Sequence, residues 1–487
     1  MSIIAEITKK AGTAFEQYAF TTPLQRANFL ETIATNIEAL GDALLEQANK
    51  ETNLPLPRLT GERGRTCFQL RMFATMLKEG NYVEASIDTA IPTKTPPKPD
   101  IRKMMHPIGP VVVFGASNFP FAYSTAGGDT ASALAVGCSV IVKAHPAHLA
   151  TSSMVAEAIM QAAIATQMPA NVFQHVTDTS FESGKALVQD DNIYAVGFTG
   201  SRTGGRALLD YASSRKNPIP VFAEMGSVNP VILLQDAVEK NAETIAKNYA
   251  GSITLGMGQF CTNPGILVGI KSEALNTFAN TLATEMNSIA PTAMLHAGIE
   301  AAYLKNSAHA LAQKGITSLT KNTPSSNNGY PVLTTVDAKT FLSNPDLAEE
   351  VFGPYSILVQ CNSMNELKEV WKSIKGQIST TIMGTDIDFA NTPELLNMSL
   401  SIAGRVLLNG VPTGVEVCDS MVHGGPYPAT TDSRFTAVGV NAAKRWLRPI
   451  SFQNWSNHLL PLALQNNNAL GIWRNINGAL SKDEVIG

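Results

Sequence analysis

The chain has 487 residues, 44% hydrophobic and 16% charged, with a net charge of −4. That length exceeds one ordinary core, so two or three domains are expected, and the absence of a long basic block argues against a nucleic-acid partner. Five scattered cysteines without a CxxC pair (Cys67, Cys138, Cys261, Cys361 and Cys418) argue against a disulfide framework or a zinc site and for a reducing compartment.

The first residues, Met1-Ser2-Ile3-Ile4-Ala5-Glu6, lack the basic-then-apolar order of a signal peptide, and no apolar run approaches the ~18 residues of a membrane span. A cytoplasmic protein with no membrane partner is expected. Residues 8–50 read as helix. Thr22-Pro23-Leu24-Gln25 supplies an N-cap, a proline at the first helical position and a capping-box partner, and Phe29, Leu30, Ile33, Ile37, Leu40 and Leu44 recur at helical spacing. Residues 60–78 form a second helix with Leu70, Phe73, Ala74 and Leu77 on its stripe. The five prolines of residues 89–107 make that segment an extended arm or edge hairpin.

From Ile108 the pattern alternates. Strands are expected at 111–114, 139–143, 172–176, 193–198 and 220–223, with helices at 151–166, 182–189 and 203–213. It resumes with a strand at 231–234, a helix over 239–255 and a strand at 266–270. Short apolar strands between helices imply a parallel sheet covered on both faces, and two α/β units meet near residue 226.

Cys261 lies in Gly258-Gln259-Phe260-Cys261-Thr262-Asn263-Pro264-Gly265, and Glu224 in Phe222-Ala223-Glu224-Met225-Gly226. A thiol and a carboxylate on Gly-flanked turns suit nucleophilic catalysis with a general base. Two more segments stand out, Gly115-Ala116-Ser117-Asn118-Phe119-Pro120 and Glu349-Glu350-Val351-Phe352-Gly353-Pro354. Other stretches are ambiguous taken alone. Gly197-Phe198-Thr199-Gly200-Ser201 serves equally as a strand-to-helix turn or a phosphate-binding loop. Lys143 ends a strand, where lysine is commonly solvated. His145 and His148 have a metal pair's gap but straddle Pro146 without further ligands, so no metal is expected. His423-Gly424-Gly425-Pro426-Tyr427-Pro428 reads as a turn-rich loop at the mouth of a site.

Together the four segments carrying Asn118, Glu224, Cys261 and Glu350 resemble the aldehyde dehydrogenase superfamily, over roughly residues 10–450. The resemblance implies an α/β fold with a Rossmann-like cofactor domain (1–88 and 108–225), an α/β catalytic domain (226–435) and an oligomerisation arm with C-terminal segment (89–107 and 436–487). It implies a homodimer or homotetramer acting on a small-molecule aldehyde with NAD or NADP. Cys261 becomes the nucleophile, Glu224 the base that activates water, and Asn118 a side-chain oxyanion donor. Lys143, Gly200, Ser201 and Gly226 become cofactor contacts, with Glu350 on the nicotinamide ribose and Phe352 beside it. Retention of Glu224 speaks for hydrolysis and against transfer of the acyl group to CoA or phosphate.

Further stretches, among them Arg65-Thr66-Cys67-Phe68-Gln69-Leu70-Arg71 and His423 to Ala429, look like the branch holding α-ketoglutarate semialdehyde (2,5-dioxopentanoate) dehydrogenases and NADP-dependent fatty aldehyde dehydrogenases. Oxidation of 2,5-dioxopentanoate is the main expectation and a fatty or other aliphatic aldehyde the alternative; a catalytically silent member is a third reading. Phe119 and Phe260 are expected to line the substrate tunnel, and Arg65 either anchors the far carboxylate or is a solvated helix arginine. Where NAD-preferring relatives carry a repelling glutamate this chain has Pro146, and where NADP-preferring ones carry an arginine it has Phe181. Lys185 stands near enough to serve in part, so use of both cofactors is expected.

Overall fold

The computed structural model describes residues 3–321 and 328–485. Five parallel strands form one sheet in the order Phe173–Val176, Val140–Lys143, Val111–Phe114, Ala195–Thr199 and Val221–Glu224. A second, seven-stranded sheet is ordered Thr317–Ser318, Val332–Asp337, Tyr355–Cys361, Ile266–Ile270, Val231–Leu233, Gln377–Met383 and Ala403–Leu408, parallel except at its first, antiparallel strand. The strands are apolar runs because helices cover both faces. Val111, Val112, Val140, Ile141, Ile232 and Val268 are all fully buried.

The third sheet joins the arm to the C-terminus, in the order Leu447–Gln453, Ile101–Pro107, Ser86–Asp88, Arg474–Ile476 and Ala479–Ser481. Residues 89–100 between its strands hold only an isolated bridge, Ile91 to Lys98.

The single helix expected over 8–50 is three helices, Ile3–Tyr18, Pro23–Ala39 and Gly41–Thr52. Pro23 cannot donate a backbone hydrogen bond to the preceding turn, and the Thr22–Gln25 capping box starts a new helix there. Gly41, at φ +59, turns the chain again. Phe29, Leu30, Ile33 and Ile37 are at most 1% exposed, each burial stabilising the layer by about 1.5–3 kcal/mol. They pack on helix Leu56–Glu79, the element that faces the loop over residues 118–122.

The chain's last third returns to the first sheet. Met225 N–H donates to Ala429 O at 2.7 Å, and Glu224 bridges Thr430. Phe222, Phe435 and Trp446 stack edge to face at 5.2 and 5.4 Å, and the Trp446 indole donates to Ser132 Oγ at 2.8 Å. This clamp fixes residues 423–446 against strand Val221–Glu224.

Candidate active site

Glu224 is the last residue of the edge strand of the five-stranded sheet, where the chain crosses to the seven-stranded one. Asn118 lies in the loop between strand Val111–Phe114 and helix Gly128–Val136. Cys261 follows the turn Leu255–Gly258 at the end of helix Gln235–Thr254. Gly258, at φ +63, lies so close to the Gly353 carbonyl that a Cβ there would overlap it, which brings the thiol loop against the Glu350 loop. Asn229 secures the thiol loop by donating Nδ2–H to Cys261 O at 2.8 Å and Asn263 O at 2.9 Å.

Cys261 is half-buried; Glu224 is 4% exposed. Burial above all, then the Glu224 charge, hold the Cys261 thiol well above its ordinary range, while Arg65 pulls the other way. The Asn118 amide reaches the thiol loop, donating Nδ2–H to Gln259 O at 3.0 Å.

His423 is fully buried inside the site, not at its mouth as its turn-rich loop implied. Its Nε2 lies 3.0 Å from Glu224 Oε1 and 3.5 Å from Cys261 Sγ. Glycines permit this. A Cβ on Gly425 would overlap the Gln377 carbonyl, and one on Gly424 would come within 2.7 Å of Phe435 O. The His423 backbone N–H donates to Thr436 Oγ1 at 2.8 Å. Nδ1 has no partner, so the network assigns the ring proton to Nε2; on Nδ1 it would be a buried donor with no acceptor. Glu224 Oε2 is likewise buried without a partner, an acceptor left open. Glu224, Cys261 and His423 also offer three metal-ligand atoms within 4.8 Å of one another, but the 3.0 Å Nε2 to Oε1 separation is that of a hydrogen bond.

A pocket beside the thiol is lined by Ser227, Val228, Phe260, Asn263, Glu350 and Phe352. Gly226 permits it, because a Cβ there would overlap the Glu350 carboxylate. Burial pushes the Glu350 carboxyl up to about 7; a hydrogen bond from the Ser227 N–H opposes this and the Glu349 charge adds to it. Gly200 donates its N–H to Glu224 O at 3.1 Å, and Ser201 caps helix Arg202–Ser213 by accepting from Gly204 N–H. Lys143 is buried at its strand end, its pKa lowered by desolvation and supported by Asp178. Phe181 is exposed, and Lys185 points its ammonium over the Tyr211 ring at 5.4 Å. His145 stacks on His148 at 5.6 Å and lies 6.0 Å from His296, with burial driving its pKa down to about 3.

Phe119 and Phe260 meet edge to face at 5.6 Å between the Asn118 and Cys261 loops. Arg65 donates Nη1–H to Val415 O at 2.9 Å and Nη2–H to Tyr123 OH at 3.3 Å. On the same helix, buried Glu62 accepts from the N–H groups of Phe121 and Ala122 at 2.8 and 3.0 Å. Its carboxyl is pushed up to about 6 by burial, against those hydrogen bonds and the charges of Arg58 and Arg65. Sequence patterning gave no role to Asn229, Arg58 or Glu62, and placed His423 only in a turn-rich loop at the mouth of the site. A histidine before Gly-Gly-Pro was the available signal for His423.

Two mainly parallel sheets meeting over a thiol, a carboxylate and an amide give the chain an α/β fold with a compact polar site at their junction. The chain belongs to the aldehyde dehydrogenase family, whose sequence model matches residues 2–425. It is 46% identical over 467 residues, 95% of this chain and 89% of the relative, to alpha-ketoglutaric semialdehyde dehydrogenase 2 of Azospirillum brasilense. It is 44% identical to the alpha-ketoglutaric semialdehyde dehydrogenase of Acinetobacter baylyi, covering 99% of this chain and 92% of that one. Among solved structures, the fold is shared with an NADP complex of glyceraldehyde-3-phosphate dehydrogenase GapN from Methanocaldococcus jannaschii (TM-score 0.76, 19% identity, 92% of this chain and 93% of that chain). It is also shared with gamma-glutamyl-gamma-aminobutyraldehyde dehydrogenase from Burkholderia cenocepacia (TM-score 0.76, 19% identity, 92% and 88% covered). The family's hydride acceptor is NAD or NADP. The half-buried Glu350 carboxylate, packed against bare Gly226 beside Phe352, fits the hydroxyl-rich end of such a cofactor.

Proposed function

We propose that the protein oxidises 2,5-dioxopentanoate to 2-oxoglutarate with NAD or NADP, acting as a homodimer or homotetramer in the cytoplasm. The observation that carries it is the cluster of Cys261, Glu224 and His423 with the Asn118 amide reaching the same loop. The substrate rests on near-full-length similarity to two relatives named for this semialdehyde. Free cysteines agree with a reducing compartment, and among the described residues no helix is long and apolar enough to cross a membrane. In this reading residues 1–88 and 108–225 hold the cofactor, 226–435 carry the nucleophile, and 89–107 with 436–487 form the oligomerisation arm.

The half-buried thiol passes its proton to a solvent water as sulfur adds to the aldehyde carbon and the carbonyl π pair moves to oxygen, and His423 Nε2–H faces the sulfur as charge forms there. Asn118 Nδ2–H and the Cys261 backbone N–H meet the oxyanion. Nicotinamide, when bound, supplies the hydride acceptor that leaves a thioester on Cys261. Glu350 would hold the nicotinamide ribose with Phe352 beside the ring, and Lys143, Gly200, Ser201 and Gly226 would hold the rest of the cofactor. Glu224, its Oε1 fixed by His423, then takes a proton from water at Oε2, and the hydroxide releases the acid.

Purified protein is to be assayed for NAD(P)H formation on 2,5-dioxopentanoate, succinate semialdehyde, hexanal and a long-chain aldehyde. The dioxo acid is expected to give the highest kcat/KM; stronger activity on the long-chain aldehyde would replace this reading with a fatty aldehyde dehydrogenase. Asn118→Ala is expected to lower kcat by roughly 10²–10³-fold, the worth of one oxyanion donor. A change below tenfold would leave the backbone N–H as the sole donor.

Glu350 gives the pH dependence. Its carboxyl is raised from an ordinary 4.5 to about 7, so folding favours the protonated form. The stability it contributes is present below the unfolded value and is lost as pH rises from 4.5 to about 7. Ribose hydroxyls donate to the ionised form, so cofactor binding expels a proton below pH 7. Cofactor affinity should therefore rise with pH up to about 7 and then level off, with Glu350→Gln flattening the profile in a fluorescence titration. A wild-type profile flat from the start would remove Glu350 from the cofactor site.

A further inference from the structure

We propose that Arg58 is the group that receives the far carboxylate of the substrate, so that the chain selects short oxo acids over uncharged aldehydes. This rests on the reading that it oxidises 2,5-dioxopentanoate.

Arg58 sits in the first turn of helix Leu56–Glu79, an end whose dipole disfavours a cation, so helix formation gives no reason for it. Its guanidinium is built into the two catalytic loops. Nη2 donates to Asn118 O at 2.8 Å, and Cζ lies 5.0 Å from the Phe119 ring centroid and 4.8 Å from that of Phe260. Those rings belong to the immediate neighbours of Asn118 and Cys261. Gly256, at φ +52, leaves the space: a Cβ there would come within 3.1 Å of both Arg58 Nη1 and Phe260 Cε2. Nη1 is buried with no hydrogen-bond partner among the described residues.

A guanidinium stays charged, so a buried, unpaired N–H on it is costly unless an acceptor arrives. Glu62, one turn along the same face, commits Oε1 to Phe121 and Ala122 and so to the shape of the Asn118 loop. Arg65, one further turn along, already spends both terminal nitrogens on Val415 O and Tyr123 OH. Of the two arginines only Arg58 keeps a free terminal nitrogen, its guanidinium within 5.0 Å of two aromatic rings and pinned at one end. In 2,5-dioxopentanoate four C–C bonds of ~1.5 Å separate the aldehyde carbon from the carboxyl carbon, about 5 Å in extended form, a span suited to neighbouring loops.

The experiment compares kcat/KM for wild type, Arg58→Leu, Arg58→Lys and Arg65→Leu on 2,5-dioxopentanoate and hexanal, with glutarate as a competitive inhibitor. Arg58→Leu should lose about 30- to 10³-fold more on the dioxo acid than on hexanal, mainly in KM, with glutarate inhibition abolished; the loss shared by both substrates reports the Asn118 loop that Arg58 also holds. Arg58→Lys, which keeps the charge and packs more conservatively, should show the same selectivity loss in smaller measure. Arg65→Leu should lower both substrates alike. A wild-type preference for the dioxo acid that survives in both Arg58 variants, or that only Arg65→Leu removes, overturns the assignment alone, as does an equal fall on both substrates in both Arg58 variants. A wild type that prefers hexanal overturns the assignment together with the substrate reading.

Discussion

Cys261→Ser is expected to lower aldehyde oxidation by about 10⁴–10⁶-fold, the scale seen when a nucleophile is removed from an otherwise intact site. The serine hydroxyl is nearly isosteric, so the Asn229 hold on the loop backbone and the Glu350 pocket should persist. Cofactor titration of the variant should match wild type, separating lost chemistry from lost folding. Even the native thiol is held in its protonated form by burial and the Glu224 charge. An alkoxide there would be far harder to form, with an ordinary hydroxyl much less acidic than a thiol. His423 Nε2–H, 3.5 Å from the sulfur, cannot supply that difference with one hydrogen bond. Turnover within tenfold of wild type would remove Cys261 as the nucleophile.

The second large effect is on Glu224→Gln. Glutamine keeps an oxygen to accept the 3.0 Å hydrogen bond from His423, so the ring stays oriented. It loses the open carboxylate oxygen that takes the proton from water. Steady-state turnover should fall by about 10²–10⁴-fold, the usual worth of a general base, while a single-turnover burst of NAD(P)H survives. Rapid mixing with excess aldehyde separates the two phases, and acid quenching should trap the acyl group on Cys261. Loss of the burst as well would make Glu224 the base for the thiol too. An unchanged steady state would move water activation to another group.

The elements lying within one stretch of chain were legible from sequence because their causes are local. Short apolar runs between helical stripes placed every strand of the five-stranded sheet to within two residues of its position. The Thr22–Gln25 capping box was readable for the same reason. The helix expected over 8–50 was drawn too long because apolar spacing continues past Pro23 and Gly41, and backbone geometry outweighs periodicity there. Glycine-flanked turns drew attention to Cys261, Glu224 and Asn118, since a loop that must approach other backbone closely shows its glycines in the sequence.

What only the tertiary structure decided is which distant groups complete the site. His423 lies 162 residues from Cys261, in a segment whose pattern speaks of turns. It reaches the thiol because the Phe222–Phe435–Trp446 clamp and the Gly424–Gly425 contacts press that segment onto the first sheet. The contrast between Arg58 and Arg65 was equally hidden. Both lie on one face of one helix, and helical spacing treats them alike. Their difference is in hydrogen bonding: Val415 and Tyr123 take both terminal nitrogens of Arg65, while Asn118, Phe119 and Phe260 hold Arg58 with Nη1 left open. Periodicity reports which way a side chain faces; the partners that meet it there come from chain 58 to 350 residues away.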